Sequence, residues 1–201
     1  MELLKQYLSF IDSIFLDKGY FLPKFIFLPL VGIFHILIIL LFYFIYRKTR
    51  KKWRVKASYR YLKTIRSFSG DNTFARTLSY LRKIDPFIFE EMILSVIKEQ
   101  KCKIYRNKRY TGDGGIDGKF KIGRQTYYIQ AKRYQSHITK KHVEEFNHIV
   151  ARDKVKGIFV HTGKTGKGSK EIASNNVTFV SGQKLVNFLN NDISINTITK
   201  Q

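Results

Sequence analysis

Asp117, Gln130 and Lys132 are the residues whose types and spacing suit hydrolytic chemistry, and they lie in one stretch, YTGDGGIDGKFKIGRQTYYIQAK, from Tyr110 to Lys132. A glycine-rich turn, Gly112-Asp113-Gly114-Gly115, leads Ile116-Asp117 into a predicted strand, and a second strand ends in Gln130-Ala131-Lys132. Strand side chains alternate, so Gln130 and Lys132 point one way, while Tyr127, Ile129 and Ala131 face an apolar layer. On the first strand Asp117, Lys119 and Lys121 share a face opposite Ile116 and Phe120. Paired as a hairpin, the two strands bring a carboxylate, an amide and an ammonium onto one face. Such a set is costly to bury without partners, although an exposed edge hairpin would accept it. The carboxylate and amide oxygens suit a hard divalent cation, and the ammonium suits a phosphate. This is the material of a metal-dependent phosphodiesterase.

The elements that must position these groups begin at Asp85-Pro86, an N-cap followed by proline at the first helical position. The helix is predicted to run to about Gln100, with Phe89, Ile93, Val96 and Ile97 buried. On its projection Glu90 falls at the flank of the apolar face and looks inward, whereas Glu91 points away into solvent. A macrodipole contact alone would also explain an acid at Glu90. Cys102–Tyr105 is a short strand, and a helix over 139–151 starts at Thr139 with Val143, Phe146, Ile149 and Val150 on its apolar side. Gly157–His161 reads as a strand buried on both faces. A Gly/Lys/Ser loop, Thr162–Ser169, leads to a short helix around Lys170–Ser174, then a strand at Val177–Val180 and a helix at Gln183–Leu189. The order predicts an α/β domain around a mixed sheet, over residues 85–201.

Upstream, the chain changes character. Residues 1–24 carry Leu4, Leu8, Ile11 and Phe15 at helical spacing, which suits a helix lying on a membrane or a partner. Phe25–Tyr46 is an apolar run without a charged side chain, long enough to cross a hydrocarbon core of about 30 Å. The charge excess of +22, from 37 Lys and Arg against 15 Asp and Glu, lies entirely after Tyr46. By the positive-inside rule the chain is a single-pass membrane protein with residues 47–201 in the cytoplasm. Residues 47–84 read as a basic juxtamembrane linker with helical character, a stalk or an adaptor beside the domain, with little core of its own. The cationic excess points to a polyanion, either nucleic acid or an anionic lipid surface. The one cysteine, Cys102, and the scattered histidines give no zinc pattern. TGKTGKGSK lacks a P-loop register.

GDGGIDGKF, YYIQAKRY and GIFVHTG, with FEEMILSVIKEQ before them and VTFVSGQKLVNFL after, resemble the catalytic domain of Mrr-type restriction endonucleases in the PD-(D/E)xK nuclease superfamily. The resemblance covers about Asp85 to Leu189. It implies a restriction-endonuclease-like mixed sheet flanked by helices, hydrolysing DNA with Mg²⁺, or Mn²⁺ in its place. It makes Asp117 the metal-binding aspartate, Gln130 the occupant of the second ligand position, Lys132 the catalytic lysine, and Glu90 the acid contributed by the first helix. Ile116 stands where the superfamily has proline, and Gln130 where it has Asp or Glu. Arg133, Lys140 and Lys141 are candidate DNA-phosphate contacts, and a homodimer is compatible with the family. Two rivals remain open: a catalytically weak fold that tethers DNA at the membrane, and an enzyme acting on RNA.

Overall fold

Nine of the fourteen residues in the helix Pro86–Glu99 are buried, so the domain is built around it rather than beside it. Asp85 caps this helix through one carboxylate oxygen, which accepts from the Phe87 and Ile88 amides at 2.9 and 3.2 Å, and Pro86 fills the first helical position. The protein is described by a computed structural model, covering residues 2–16, 24–107, 115–172 and 176–200. Two compact units divide it, residues 1–50 and 51–201.

In the first unit, α1 (Glu2–Leu16) forms where the leucine spacing places it. The environment of Leu4, Leu8, Ile11 and Phe15 lies outside the described residues. α2 (Lys24–Arg66) begins in this unit and continues into the second. It is long and apolar enough to cross a membrane, and none of its most apolar window is buried. Side chains such as Phe34, Leu37, Leu41 and Phe44 stand exposed on it, which a soluble core helix does not do over this length.

The second unit holds the rest of α2, then α3 (Thr73–Leu81), α4 (Pro86–Glu99), β1 (Lys103–Arg106), β2 (Gly118–Ile122), β3 (Gln125–Lys132), α5 (Lys140–Arg152), β4 (Lys156–His161), α6 (Lys167–Ile172), β5 (Val177–Val180), α7 (Gly182–Leu189) and α8 (Ile195–Thr199). The five strands lie in the order β1-β2-β3-β4-β5. β1, β2 and β3 pair antiparallel, β3, β4 and β5 parallel. This is the mixed sheet with flanking helices that the element order predicts.

Each sheet face carries its own core. Phe120, Tyr127, Ile129, Ala131, Ile158 and Val160 join α4 and α7 on one side. Tyr128, Phe159, Val143, Phe146 and Val150 meet on the α5 side. Full burial contributes roughly 1.5–3 kcal/mol for a side chain such as Phe89 or Phe146. β3 therefore lies inside the sheet with cores above and below, not on an exposed edge.

Residues 51–84 pack against the domain, as an adaptor would and a free stalk would not, and they carry more core than expected. Ala57, Leu62, Ile65 and Leu81 are buried in the α4 core, and Ser58 Oγ meets Ser95 Oγ at 3.0 Å. The cationic surface of this segment hides a narrow apolar stripe, and that stripe covers the outer face of α4.

Gly118 is where α4 presses on the sheet. A Cβ there would lie 2.6 Å from Leu94 Cδ2 and 3.0 Å from Cδ1, and Leu94 is itself buried. Gly118→Ala is expected to cost about 1–3 kcal/mol through overpacking, read as a lowered denaturant midpoint. A midpoint equal to that of the wild type would mean α4 sits farther from β2 than described.

Candidate active site

Register places the first pair. Gly118 lies opposite Ile129, and the Asp117 amide donates to the Ile129 carbonyl at 2.8 Å, so one step further Asp117 faces Gln130. Backbone groups two residues apart on a strand point to the same edge. The Ala131 amide therefore points to the edge that Ile129 uses, beyond the last residue of β2. Asp117 Oδ2 accepts it at 2.6 Å, the short distance of a charge-assisted hydrogen bond. The Ala131 carbonyl faces that edge too. The Lys132 carbonyl turns toward β4 instead, accepting from Thr162 N at 3.4 Å.

Gln130 is 4 % exposed. Its Nε2 donates to the Gly115 carbonyl at 2.8 Å. A carbonyl can only accept, so this bond fixes which end of the amide is oxygen. Oε1, turned the other way, is buried with no hydrogen-bond partner among the described residues. Leaving such an acceptor unmade costs about 1–3 kcal/mol. Gly115 makes the arrangement possible: its φ is +80°, and a Cβ would stand 3.3 Å from Ile149 Cδ1. The turn residues Gly112, Asp113 and Gly114 lie outside the described residues.

The donor chemistry fits a hard divalent cation. An amide oxygen without a partner among the described residues, the carboxylate of Asp117 on the facing strand and the Ala131 carbonyl on the strand edge are all oxygen donors. Among the described residues no three of His, Cys, Asp and Glu converge. A cation held here depends on the amide.

A test of this geometry follows in the metal-free protein. Gln130→Glu is expected to lose about 1–3 kcal/mol near pH 7, because a carboxylate oxygen would replace Nε2 against the Gly115 carbonyl. Burial raises that acid's folded pKa above its unfolded value of about 4.3. The stability is therefore fully present below the unfolded value and lost as pH rises through the folded one. Thermal melts at pH 4 and 7 read the difference; a variant that melts with the wild type at pH 7 contradicts the assigned amide orientation.

Lys132 ends β3, half-buried and in register with His161 on β4. Its ammonium makes no hydrogen bond or ion pair among the described residues. Its charge is felt nearby: burial first, then Lys132, hold the His142 pKa below its ordinary value. His161 is fully buried, and burial lowers its pKa to about 4, so it is neutral; its Nε2 meets Thr165 Oγ1 at 3.0 Å. It is a core histidine, not a surface one. Lys119, on the Asp117 face, is committed to Tyr128, with Nζ 3.2 Å from the hydroxyl.

The other predicted residues are placed variously. Glu90 is half-buried on α4. Glu91, expected in solvent, is 1 % exposed, and its Oε2 accepts from Arg106 Nε at 2.6 Å. The projection fails because α4 has no solvent face there: α2 and the sheet enclose it. Arg106 pairs with Gly118 across the strands and also reaches Ser95 Oγ at 3.4 Å. The pair thus braces β1 and α4 one residue from Asp117. Asn107 adds a second brace, its side-chain nitrogen donating to the Ile116 carbonyl. Arg133 Nη1 donates to the Arg82 carbonyl at 2.9 Å, tying β3 to the segment after α3. Lys140 and Lys141 are exposed, and Lys141 Nζ lies 4.0 Å from Glu145 Oε1.

Residues 81–189 match the family model of the Mrr catalytic domain, described as restriction endonuclease. The chain belongs to this family. The chain is also 28 % identical over 147 residues to the type IV methyl-directed restriction enzyme EcoKMrr of Escherichia coli K12, over 68 % of this chain and 47 % of that enzyme. The chain thus spans about half the length of that relative. Pyrococcus furiosus SfsA, solved in complex with Ca²⁺, aligns over 51 % of this chain and 48 % of its own at 18 % identity, with a TM-score of 0.27.

Proposed function

We propose that this Mrr-type protein is a membrane-anchored DNA endonuclease dependent on Mg²⁺, or Mn²⁺ in its place, with Asp117, Gln130 and Lys132 as its central residues. The observation that carries the proposal is the buried Oε1 of Gln130, without a hydrogen-bond partner among the described residues, on the residue that faces Asp117 across the strands. Asp117, Gln130 and the Ala131 carbonyl would hold the cation, and Glu90 would supply the negative charge that a glutamine does not bring. A bound divalent metal activates water and neutralises charge on the scissile phosphate. The protein's own part is orientation. Gly115 fixes the amide, the Ala131 amide fixes the Asp117 carboxylate, and Lys132, without a partner among the described residues, offers its ammonium to the charge that grows on the phosphoryl oxygens. Arg133, Lys140 and Lys141 approach the DNA backbone.

The apolar stretch of α2 is the anchor, and the basic run after it keeps the nuclease unit on the cytoplasmic side. A reporter fused to the carboxy terminus is expected to signal from the cytoplasm; an external signal reverses the topology.

The rival reading, a DNA tether with little catalysis, draws on the same residue, since glutamine leaves the site one negative charge poorer. Incubating supercoiled plasmid with the full chain, with Mg²⁺ and with a chelator, separates the two. Metal-dependent nicking supports the nuclease; binding without cleavage under Mg²⁺ or Mn²⁺ supports the tether.

A further inference from the structure

We infer that the loop after β4, Thr162–Lys170, is the second wall of a track for the sugar-phosphate backbone of duplex DNA, the first wall being the segment after β3. The inference builds on the proposed nuclease site and adds Lys164 and Lys167 to its substrate contacts.

Charge is the first observation. Residues 132–143 and 161–170 contain no carboxylate. They carry Lys132, Lys140, Lys141, Lys164, Lys167 and Lys170, besides Arg133, and all of these lysines except half-buried Lys132 are exposed.

Construction is the second. The two segments continue the parallel pairing of β3 and β4 past the ends of the strands. Lys164 N donates to the Ser136 carbonyl at 2.8 Å, and Ile138 N to the Lys164 carbonyl at 3.1 Å, with His137 and Lys164 bridged. Thr162 Oγ1 accepts from Tyr134 N and donates to the Tyr134 carbonyl, both at 2.9 Å. Arg82 clamps the Thr162 carbonyl through Nε at 3.3 Å and Nη2 at 2.9 Å. Gly163 has no room for a side chain: a Cβ would lie 2.5 Å from the Ser136 carbonyl oxygen. The start of the loop, Thr162–Lys164, is thus pinned to the segment after β3, which fixes the backbone that carries Lys164.

Crowding is the third. Lys140 folds against the loop, its Nζ 2.6 Å from where a Gly168 Cβ would be, which sets it beside the backbone that carries Lys167 and Lys170. Like charges held together raise the free energy of the folded state. A polyanion laid along them relieves that cost and releases its own counterions. The rim also adjoins Lys132, so a phosphodiester backbone on it leads directly to Asp117 and Gln130. A lipid surface gives no reason for that adjacency.

The test is DNA binding without metal, by fluorescence anisotropy, using the full chain in zwitterionic nanodiscs and a labelled duplex of about 25 base pairs. Lys164→Ala/Lys167→Ala is expected to lower the slope of log K against log salt by about 1.8, roughly 0.9 per phosphate contact. Between 50 and 200 mM salt its affinity should then fall by about tenfold less than the wild type's. Lys103→Ala/Lys121→Ala removes the same charge at the opposite end of the sheet, where those residues pair, and should leave the slope near that of the wild type. Equal slope changes in both variants, or none in the rim variant, overturn the inference. So does a rim variant that loses binding to anionic vesicles while its DNA slope stands. Because no cleavage is read, a chain that binds through this rim but never cuts would keep the inference and reject the nuclease.

Discussion

Asp117→Asn is expected to slow metal-dependent plasmid cleavage by about 10³-fold or more, on the order of 4 kcal/mol of transition-state stabilisation. Asparagine keeps an oxygen to accept from the Ala131 amide, the bond that aspartate makes at 2.6 Å. The fold should therefore survive, and melting temperatures should stay within a few degrees. Lys132→Met belongs with it. Methionine retains the length of the side chain at the end of β3 and removes the ammonium, with an expected loss of about 10²–10³-fold. Lys132→Arg should not restore the rate, because a planar guanidinium cannot present its charge as a compact ammonium does. Rates within tenfold of the wild type for either Asp117→Asn or Lys132→Met would sink the site assignment, provided the variants are folded.

The largest expected effect on stability is at Glu91. Its carboxylate is 2 % exposed and paired at 2.6 Å with Arg106, which is 18 % exposed. Glu91→Ala leaves a guanidinium largely buried without its counter-charge and should cost about 3 kcal/mol or more. For a unit of this size that is a fall in melting temperature of roughly 6–12 °C. Glu91→Leu/Arg106→Met removes both charges at similar volume and should recover most of the loss, since burying the pair carries its own desolvation cost. The cycle distinguishes an ion pair from simple packing. If Glu91→Ala costs under about 1 kcal/mol, or the double variant is no more stable than the single, the pair is not the brace between α4 and β1.

How much of this was legible in the sequence follows from how local each cause is. Asp85-Pro86 sets the start of α4 through a cap and a fixed φ, and the structure has both. Alternation along QTYYIQAK assigns Ile129 and Ala131 to one core, leaving Gln130 and Lys132 to the other side. The facing of Asp117 and Gln130 depends only on period and register, which the pairing of β2 with β3 sets. What lay beyond the sequence depended on partners distant in the chain. Glu91 looks solvated on an isolated helix, and becomes buried because α2, through Ser58 and its neighbours, and the sheet, through Arg106, enclose α4. The same contact turns residues 51–66 from a stalk into core, against the message of their charge. Thr139 takes its N-cap position without a side-chain bond, so its type located the helix start though its hydroxyl does not secure it. The fixed amide of Gln130 could not be foreseen either, because it depends on a glycine at φ +80° fifteen residues earlier.

The central claim is that Gln130 turns a buried oxygen to a cation shared with Asp117, and the Mg²⁺ dependence of the cleavage rate tests it most directly. Wild type and Gln130→Ala are compared at saturating DNA over a Mg²⁺ titration. The account predicts that the variant needs about tenfold more Mg²⁺, or beyond, to reach half its own maximal rate, the scale on which metal affinity answers to the groups around a site. Superimposable titrations, with both proteins folded and active, would contradict it.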